Sequence, residues 1–234
     1  QKKGDTVGAV AWLDKMRSAC LQPSSTSYSS VIDGFAKNGE ISAAGQWFSK
    51  MCDACIAPDN ASCNAMIKSC ARDRNPSAAL TWFKRMTTAR LTPDKISYSA
   101  VIESHACKGD HRSAQKMLSA MEAACLKPNV VTYTSMLKAC ARARPKLEEL
   151  AQSYFESMVL NKIRLDGKVL NTLDQAIGRS RREHLCQKFG IDENRVLSQV
   201  LLGKRVDREH KQRTHYRLQQ QRCADGLTRS TGKR

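Results

Sequence analysis

Apolar residues in this chain fall into short clusters with helical spacing, separated by polar stretches. Within residues 60–94, Met66 and Cys70 lie four residues apart and so share one face of a helix. After a polar stretch that contains a proline, Trp82 and Met86 mark a second apolar face with the same spacing. The pattern predicts two amphipathic helices joined by a turn.

The same residue types recur every 35 residues along most of the chain, which predicts a tandem repeat. A single two-helix hairpin cannot bury the apolar faces of both helices, whereas stacked hairpins can, so we predict an all-α fold, an α-solenoid or superhelix of helix-turn-helix repeats. The recurring residues are Pro23, Pro58, Pro93 and Pro128; Met16, Met51, Met86 and Met121; Trp12, Trp47 and Trp82; Ala36, Ala71, Ala106 and Ala141; Ala9, Ala44, Ala79 and Ala114; and Tyr28, Tyr98 and Tyr133.

The repeats are numbered so that position 1 follows each proline by two residues. The chain begins at Gln1, inside a repeat, so we expect a processed or incomplete N-terminus. The fourth repeat has two extra residues near Arg144-Pro145-Lys146, between its helices. The predicted divisions are 1–24 (the second half of a repeat), the solenoid 25–178 (repeats 25–59, 60–94, 95–129 and 130–166 with a partial repeat 167–178), and a basic extension 179–234.

Two segments carry a family resemblance, SYSSVIDGFAKNGEISAAGQWFSKM at the start of 27–59 and VVTYTSMLKACARA at the start of 130–158. They closely resemble the P-type pentatricopeptide repeat, and the resemblance covers residues 7–178. Departures occur where Cys63 replaces a tyrosine and where Arg74 and Arg144 replace a turn glycine. The resemblance implies modular recognition of single-stranded RNA, with one base for each repeat.

In that family the fifth and last residues of a repeat read the base. Hydroxyl, amide and carboxylate side chains suit this role because Asp only accepts hydrogen bonds, whereas Asn donates and accepts. The family's code would assign G, U, A and G from the N-terminal repeat onward. Alternatively, the last residues are only helix caps and the fifth residues only exposed polar groups. The pairs are Ser29 with Asp59, Asn64 with Asp94, Ser99 with Asn129, and Thr134 with Asp166.

Two further rows follow from the resemblance. The second residue of each repeat would sandwich bases, a role that suits Ile96 and Val131 better than Thr26 and Ala61. Position 13 would contact phosphate. The basic residues there are Lys37, Arg72 and Arg142, with Lys108 adjacent to that position in the third repeat.

The formal net charge of +17 attracts polyanions, most commonly nucleic acid. Residues 179–234 hold 15 Lys and Arg against 6 Asp and Glu. Ile191 opens a predicted short helix that ends near Gly203 and caps the solenoid. The extension either binds phosphates or is a solvated tail. Its candidate phosphate-binding residues are Arg181, Arg182, Lys204, Arg205, Lys211 and Arg213.

The ten cysteines do not indicate a metal site, because only Cys52 and Cys55 show CxxC spacing. Cys20, Cys55 and Cys125 share position 31, after the second helix, and we interpret them as small apolar packing residues. We predict no metal, no cofactor and no membrane span, and we find no constellation of catalytic residues.

The leading hypothesis is a non-catalytic RNA-binding protein of a mitochondrion or plastid, acting in RNA processing, stability or translation. The alternative is a structural subunit of an organellar ribosome or another large assembly, bound to RNA and to other proteins. The intact pairs favour the first hypothesis, whereas the few repeats and the basic tail favour the second. A third option is the targeting half of a nuclease.

Deletion of residues 204–234 tests whether the tail contacts RNA. If it does, the truncated chain should bind RNA with a shallower dependence of log affinity on log salt, because fewer counterions are released. Titrations at several salt concentrations measure this slope, and an unchanged slope would rule out tail contacts.

Overall fold

The computed structural model describes residues 5–193 and 196, and these residues form helices without any strand. The fold class predicted from the sequence is therefore confirmed. The helices are α1 (Thr6–Ser18), α2 (Ser25–Asn38), α3 (Ile41–Asp53), α4 (Asn60–Arg72), α5 (Pro76–Thr88), α6 (Lys95–Lys108), α7 (His111–Ala123), α8 (Val130–Arg142), α9 (Glu148–Leu160), α10 (Gly167–Ile177) and α11 (Arg179–Lys188).

The helices form two layers. The first helices of the repeats, which are α2, α4, α6, α8 and α10, pack side by side as one continuous row. Each second helix packs on the first helix of its own repeat, and α3, α5, α7 and α9 also contact the first helix that follows. This arrangement brings position 1 of successive repeats to one edge of the row, so residues at equal positions form lines across the repeats.

The core lies between the two layers and is built from the recurring apolar residues. A second-helix alanine and methionine, such as Ala79 and Met86, are fully buried in each of four successive repeats. The equivalent first-helix position holds Ile32, Ile67, Ile102 and Leu137, all with no exposed surface. The 35-residue period is therefore the period of the core contacts.

Helix α11 adds a second helix to the last hairpin, although its sequence lacks the apolar pattern of the others. Arg182 on this helix is only 6% exposed. Its guanidinium lies 3.0 Å from a carboxylate oxygen of Glu193 and 3.9 Å from one of Asp174. Arg182 thus closes the end of the stack through ion pairs and is not available to a phosphate. Most of the predicted capping helix that opens at Ile191 lies outside the described residues.

Our interpretation of the position-31 cysteines as packing residues is wrong. Cys20, Cys55 and Cys125 are exposed, and each has a left-handed backbone with φ of 56–57°. The chain leaves each second helix through this conformation, which turns the thiol outward. By contrast, Cys70 and Cys140 on first helices are fully buried, and burial raises the pKa of the Cys140 thiol to about 11.

Two glycines that end first helices provide a matched test of the packing between repeats. Gly39 and Gly109 both have left-handed backbones, with φ of 84° and 77°. A Cβ at Gly109 would lie 2.8 Å from the carbonyl oxygen of Arg142, whereas one at Gly39 would meet nothing within 4 Å.

We therefore expect Gly39→Ala to cost about 1 kcal/mol of stability from backbone strain alone. Gly109→Ala should cost roughly 2–4 kcal/mol, because the same strain is joined by a clash with fixed backbone of the next repeat. Urea unfolding of both variants measures the difference. Equal losses would show that the repeats do not pack this closely.

Candidate nucleic-acid interface

The last residue of each repeat caps the first helix of the next one. Oδ1 of Asp59 accepts a hydrogen bond from the backbone N–H of Ser62 at 2.8 Å, and the Ser62 side chain bonds back to the cap. Asp94 and Asn129 form the same capping box with Ser97 and Thr132. The sequence signal for this box, which we did not predict, is an acidic or amide residue followed three residues later by a hydroxyl residue.

The first two predicted pairs are in direct contact. Ser29 Oγ donates a hydrogen bond to Oδ1 of Asp59 at 2.8 Å. Asn64 Nδ2 lies 3.3 Å and 3.2 Å from the two carboxylate oxygens of Asp94. Each last residue is therefore held from two directions, by the helix that it caps and by the fifth residue of its own repeat.

The other two pairs are arranged differently. Ser99 and Asn129 are linked through the Thr132 hydroxyl, which lies 2.9 Å from Ser99 Oγ and 3.2 Å from Asn129 Oδ1. Thr134 donates to the carbonyl of its own helix instead, and Oδ1 of Asp166 accepts from a backbone N–H of α10. Thr134 and Asp166 nevertheless line the same pocket.

The second residues of the repeats are all exposed beside these pairs. Ile96 is 46% exposed and Val131 is 51% exposed, which is unusual for side chains of their size and apolar character. Thr26 and Ala61 present less apolar surface at the equivalent places. The row of pairs is thus bordered by apolar surface that is larger in the third and fourth repeats.

The position-13 residues lie on the same helix face as the second residues, about 16 Å further along each first helix. Lys37 is exposed and forms an ion pair with Asp33. Arg72 and Arg142 each donate to a carbonyl at the end of the preceding first helix, Arg72 to Ala36 and Arg142 to Cys107, the latter at 2.9 Å. The basic groups therefore line the opposite edge of the first-helix surface and also bridge neighbouring repeats.

The remaining predicted phosphate contacts are dispersed. Lys108 is exposed next to the basic edge. Arg181 is exposed on α11 and pairs with Glu148 of α9, away from the first-helix row. Lys204, Arg205, Lys211 and Arg213 lie outside the described residues.

A charged line between the two edges was not predicted. Position 9 of the four repeats holds Asp33, Lys68, Glu103 and Lys138, so the charge alternates from repeat to repeat. The ammonium of Lys138 lies 3.9 Å from a carboxylate oxygen of Glu103 and 3.3 Å from the sulfur of Cys107. Glu103 and Lys138 also line a pocket of about 380 Å³ on the first-helix surface.

The pKa of the Asp94 carboxyl is lower than its ordinary value. Partial burial by itself would raise this pKa. Hydrogen bonds from the backbone and side chain of Ser97, from Asn64 and from the backbone of Ile96 outweigh that effect and lower the pKa. The carboxylate is therefore ionised near neutral pH and offers acceptor oxygens at the surface.

Other kinds of site have little support within residues 5–193 and 196. No three His, Cys, Asp or Glu side chains there are grouped closely enough to hold a metal ion. No helix in that part of the chain is both long enough and apolar enough to cross a membrane.

Stacked two-helix repeats with one polar pair per repeat define this molecule as a helical-repeat protein of the solenoid class. A family model described as the pentacotripeptide-repeat region of PRORP matches residues 1–158. The chain therefore belongs to the pentatricopeptide repeat family. No curated protein sequence matches it significantly.

Solved structures with the same fold include plant proteins. PPR10 in complex with an 18-nucleotide psaJ RNA element superposes with a TM-score of 0.62 and 21% identity, over 76% of this chain and 26% of PPR10. The PPR domain of Arabidopsis thaliana PRORP1 in complex with tRNA gives 0.61 and 18% identity, over 74% of this chain and 90% of that domain. The nuclear RNase P PRORP2 from A. thaliana gives 0.60 and 16%, over 73% of this chain and 38% of PRORP2.

Asp94 caps α6 and also accepts a hydrogen bond from Asn64, so we predict that its contribution to the free energy of unfolding depends on pH. Asp94→Ala should lose about 1–2 kcal/mol at neutral pH, because the α6 cap is removed. The folded-state pKa of Asp94 is lower than its unfolded value near 3.9. The carboxylate thus stabilises the fold above that pH, and its advantage is lost as the pH falls through the folded-state pKa.

The difference between wild type and Asp94→Ala should accordingly shrink below about pH 4. Asp94→Asn is the control, since Asn caps a helix about as well as Asp and does not titrate. Urea unfolding at pH 7 and at pH 3 measures both variants. If wild type and Asp94→Ala differed in unfolding free energy by the same amount at pH 7 and at pH 3, the hydrogen bonds assigned to the Asp94 carboxylate would be contradicted.

Proposed function

We propose that this protein binds single-stranded RNA along the surface of its first helices, with one nucleotide for each repeat. Its role is non-catalytic and serves RNA processing, stability or translation in a mitochondrion or plastid. The observation that carries the proposal is the line of fifth and last residues from Ser29 to Asp166, which occurs once per repeat on a single surface.

The chemistry of each pair suits a base edge. Asp94 already accepts backbone hydrogen bonds through Oδ1 at 2.8 Å and 2.9 Å, and its other oxygen can accept the N3–H of uracil. Asn129 at the equivalent place carries an amide, so it can also donate to a ring nitrogen of adenine. The Asp of the first and fourth repeats can accept the N1–H and N2–H groups of guanine.

Stacking would supply affinity without base preference. A base placed between Ile96 and Val131 covers apolar surface that is otherwise exposed to water, and contacts between bases and side-chain faces tolerate any sequence. The basic edge formed by Lys37, Arg72 and Arg142 is placed to approach the phosphates. Binding by these groups should weaken as salt rises.

Among relatives of similar fold, PPR10 was solved with an RNA element and the PRORP1 domain with tRNA. This chain spans about a quarter of PPR10 and 38% of PRORP2. We infer that this chain corresponds to the part of such proteins that binds RNA. A nuclease role would need catalytic groups beyond those of this surface.

The PRORP1 complex favours a second candidate function, which is the binding of a folded RNA such as a tRNA. The small side chains of Thr26 and Ala61 agree with that reading, because they would hold unstacked bases poorly. Competition between a tRNA and a GUAG single strand separates the candidates. Displacement by tRNA at equal or lower concentration would favour the folded ligand.

A third arrangement places the protein in an organellar ribosome or another ribonucleoprotein assembly. Sedimentation of an organelle extract distinguishes a subunit of such an assembly from a protein that binds RNA on its own. Comigration with ribosomal particles that resists high salt would support the assembly role, and crosslinking would then identify the RNA.

The central prediction concerns sequence preference. A single strand that contains GUAG should bind about tenfold or more tightly than permutations of the same bases, since each matched base edge contributes a favourable hydrogen-bonded contact. Fluorescence anisotropy at fixed salt measures both. Equal affinities for GUAG and its permutations would refute the proposal.

The variant Asp94→Asn changes the reading chemistry while it retains the α6 cap. Uracil presents N3–H, a donor, whereas cytosine presents a bare N3, which needs a donor from the protein. The variant should therefore move the preference from GUAG towards GCAG by about tenfold. Asn129→Asp is the reciprocal control and should favour guanine over adenine at the third base.

A further inference from the structure

The fourth repeat carries a pocket beside its predicted pair of fifth and last residues. Its fifth and last residues, Thr134 and Asp166, line a pocket of about 380 Å³ together with the exposed Val131. The side chain of Lys138 lines the same pocket. Lys138 occupies position 9, four residues after Thr134, and so projects from the same face of α8.

The surroundings of Lys138 direct its ammonium along this surface. Glu103 and Cys107 both lie on the neighbouring first helix α6, so the ammonium is held on the first-helix surface between α6 and α8. The Cys107 sulfur at 3.3 Å accounts for one of its three donor hydrogens, whereas the Glu103 carboxylate at 3.9 Å forms an ion pair beyond hydrogen-bonding distance. N–H donors are therefore left for a ligand in the pocket.

We propose that Lys138 is a third reading residue of the fourth repeat and donates a hydrogen bond to the O6 keto oxygen of a bound guanine. This inference rests on the proposed function. Asp166 accepts one backbone hydrogen bond through Oδ1 at 2.9 Å and presents its other oxygen to the N1–H and N2–H groups. Guanine carries an acceptor beside two donors on one edge, which matches a lysine beside a carboxylate. Adenine would place an amino group against the ammonium.

The first repeat provides an internal comparison. Its Ser29 and Asp59 have the same chemistry as Thr134 and Asp166, so both repeats are assigned guanine. Position 9 there holds Asp33, which pairs with Lys37 and offers no donor to a keto oxygen. The fourth repeat should therefore discriminate guanine by O6 more strongly than the first.

The test is a double-mutant cycle with Lys138→Met and with 6-thioguanine, which replaces only O6 by sulfur, a weaker acceptor. Methionine keeps the apolar stem of the lysine without its charge, and an unchanged urea midpoint verifies the fold. In the wild type, 6-thioguanine at the fourth base of GUAG should weaken binding roughly five- to tenfold, as expected for a hydrogen bond to a charged group. The Lys138→Met variant should bind the guanine strand about as weakly as the wild type binds the 6-thioguanine strand. In this variant, replacing O6 by sulfur should cause little further loss of affinity.

Lys68→Met is the matched control, because Lys68 is an exposed position-9 lysine of the second repeat. It should weaken the guanine and 6-thioguanine strands by the same factor. Substitution of 6-thioguanine at the first base should cost less than at the fourth in the wild type.

Two results would overturn the inference. If Lys138→Met weakens both strands equally and lowers the salt slope by about 0.7, the lysine contacts a phosphate and does not read the base. If 6-thioguanine at the fourth base does not weaken binding to the wild type, although the wild type still prefers GUAG, the proposed function stands and the role of Lys138 is refuted. An absence of any GUAG preference would instead remove the proposed function itself.

Discussion

The first helices of this protein begin at side chains that must accept backbone N–H groups, and this constraint fixes the chemistry of the surface beside them. Asp59 and Asp94 each cap the first helix of the next repeat and contact the fifth residue of their own repeat. The cap tolerates either Asp or Asn, since their capping strengths are similar. These two residues differ in what they offer a ligand, because one only accepts while the other also donates. The fold therefore demands a cap but leaves its identity open, and the proposed base preference uses that freedom.

The stacking of repeats turns this local arrangement into a row. Successive first helices are neighbours, so each repeat adds one pair, one second residue and one position-13 residue to a continuous surface. The core contacts recur with the same period through fully buried residues such as Met86 and Met121. At the C-terminal end the apolar pattern stops, and the ion pairs of Arg182 with Asp174 and Glu193 take over the closure of the stack.

The recurrence of residue types every 35 residues was sufficient to predict the fold, because the same contacts recur with the same residue types. The resemblance to the family nominated the pairs of fifth and last residues as base contacts, and two of these pairs are in direct contact. The repeat pattern did not reveal the charged residues at position 9, because the residue type there changes between repeats, as it does from Glu103 to Lys138. It could not predict the burial of Arg182, which depends on the carboxylates of Asp174 and Glu193 from two other segments of the chain. The exposure of Cys55 depends on a left-handed backbone that few non-glycine residues adopt.

In the proposed complex, the order of the repeats sets the order of the bases. Selection of bound RNA from a pool of random single strands tests it most directly, because no sequence is supplied in advance. We expect enrichment of a contiguous GUAG in the 5′ to 3′ direction, with one base for each of the four pairs. Enrichment of a folded element without this tetramer, or no enrichment at all, would contradict it.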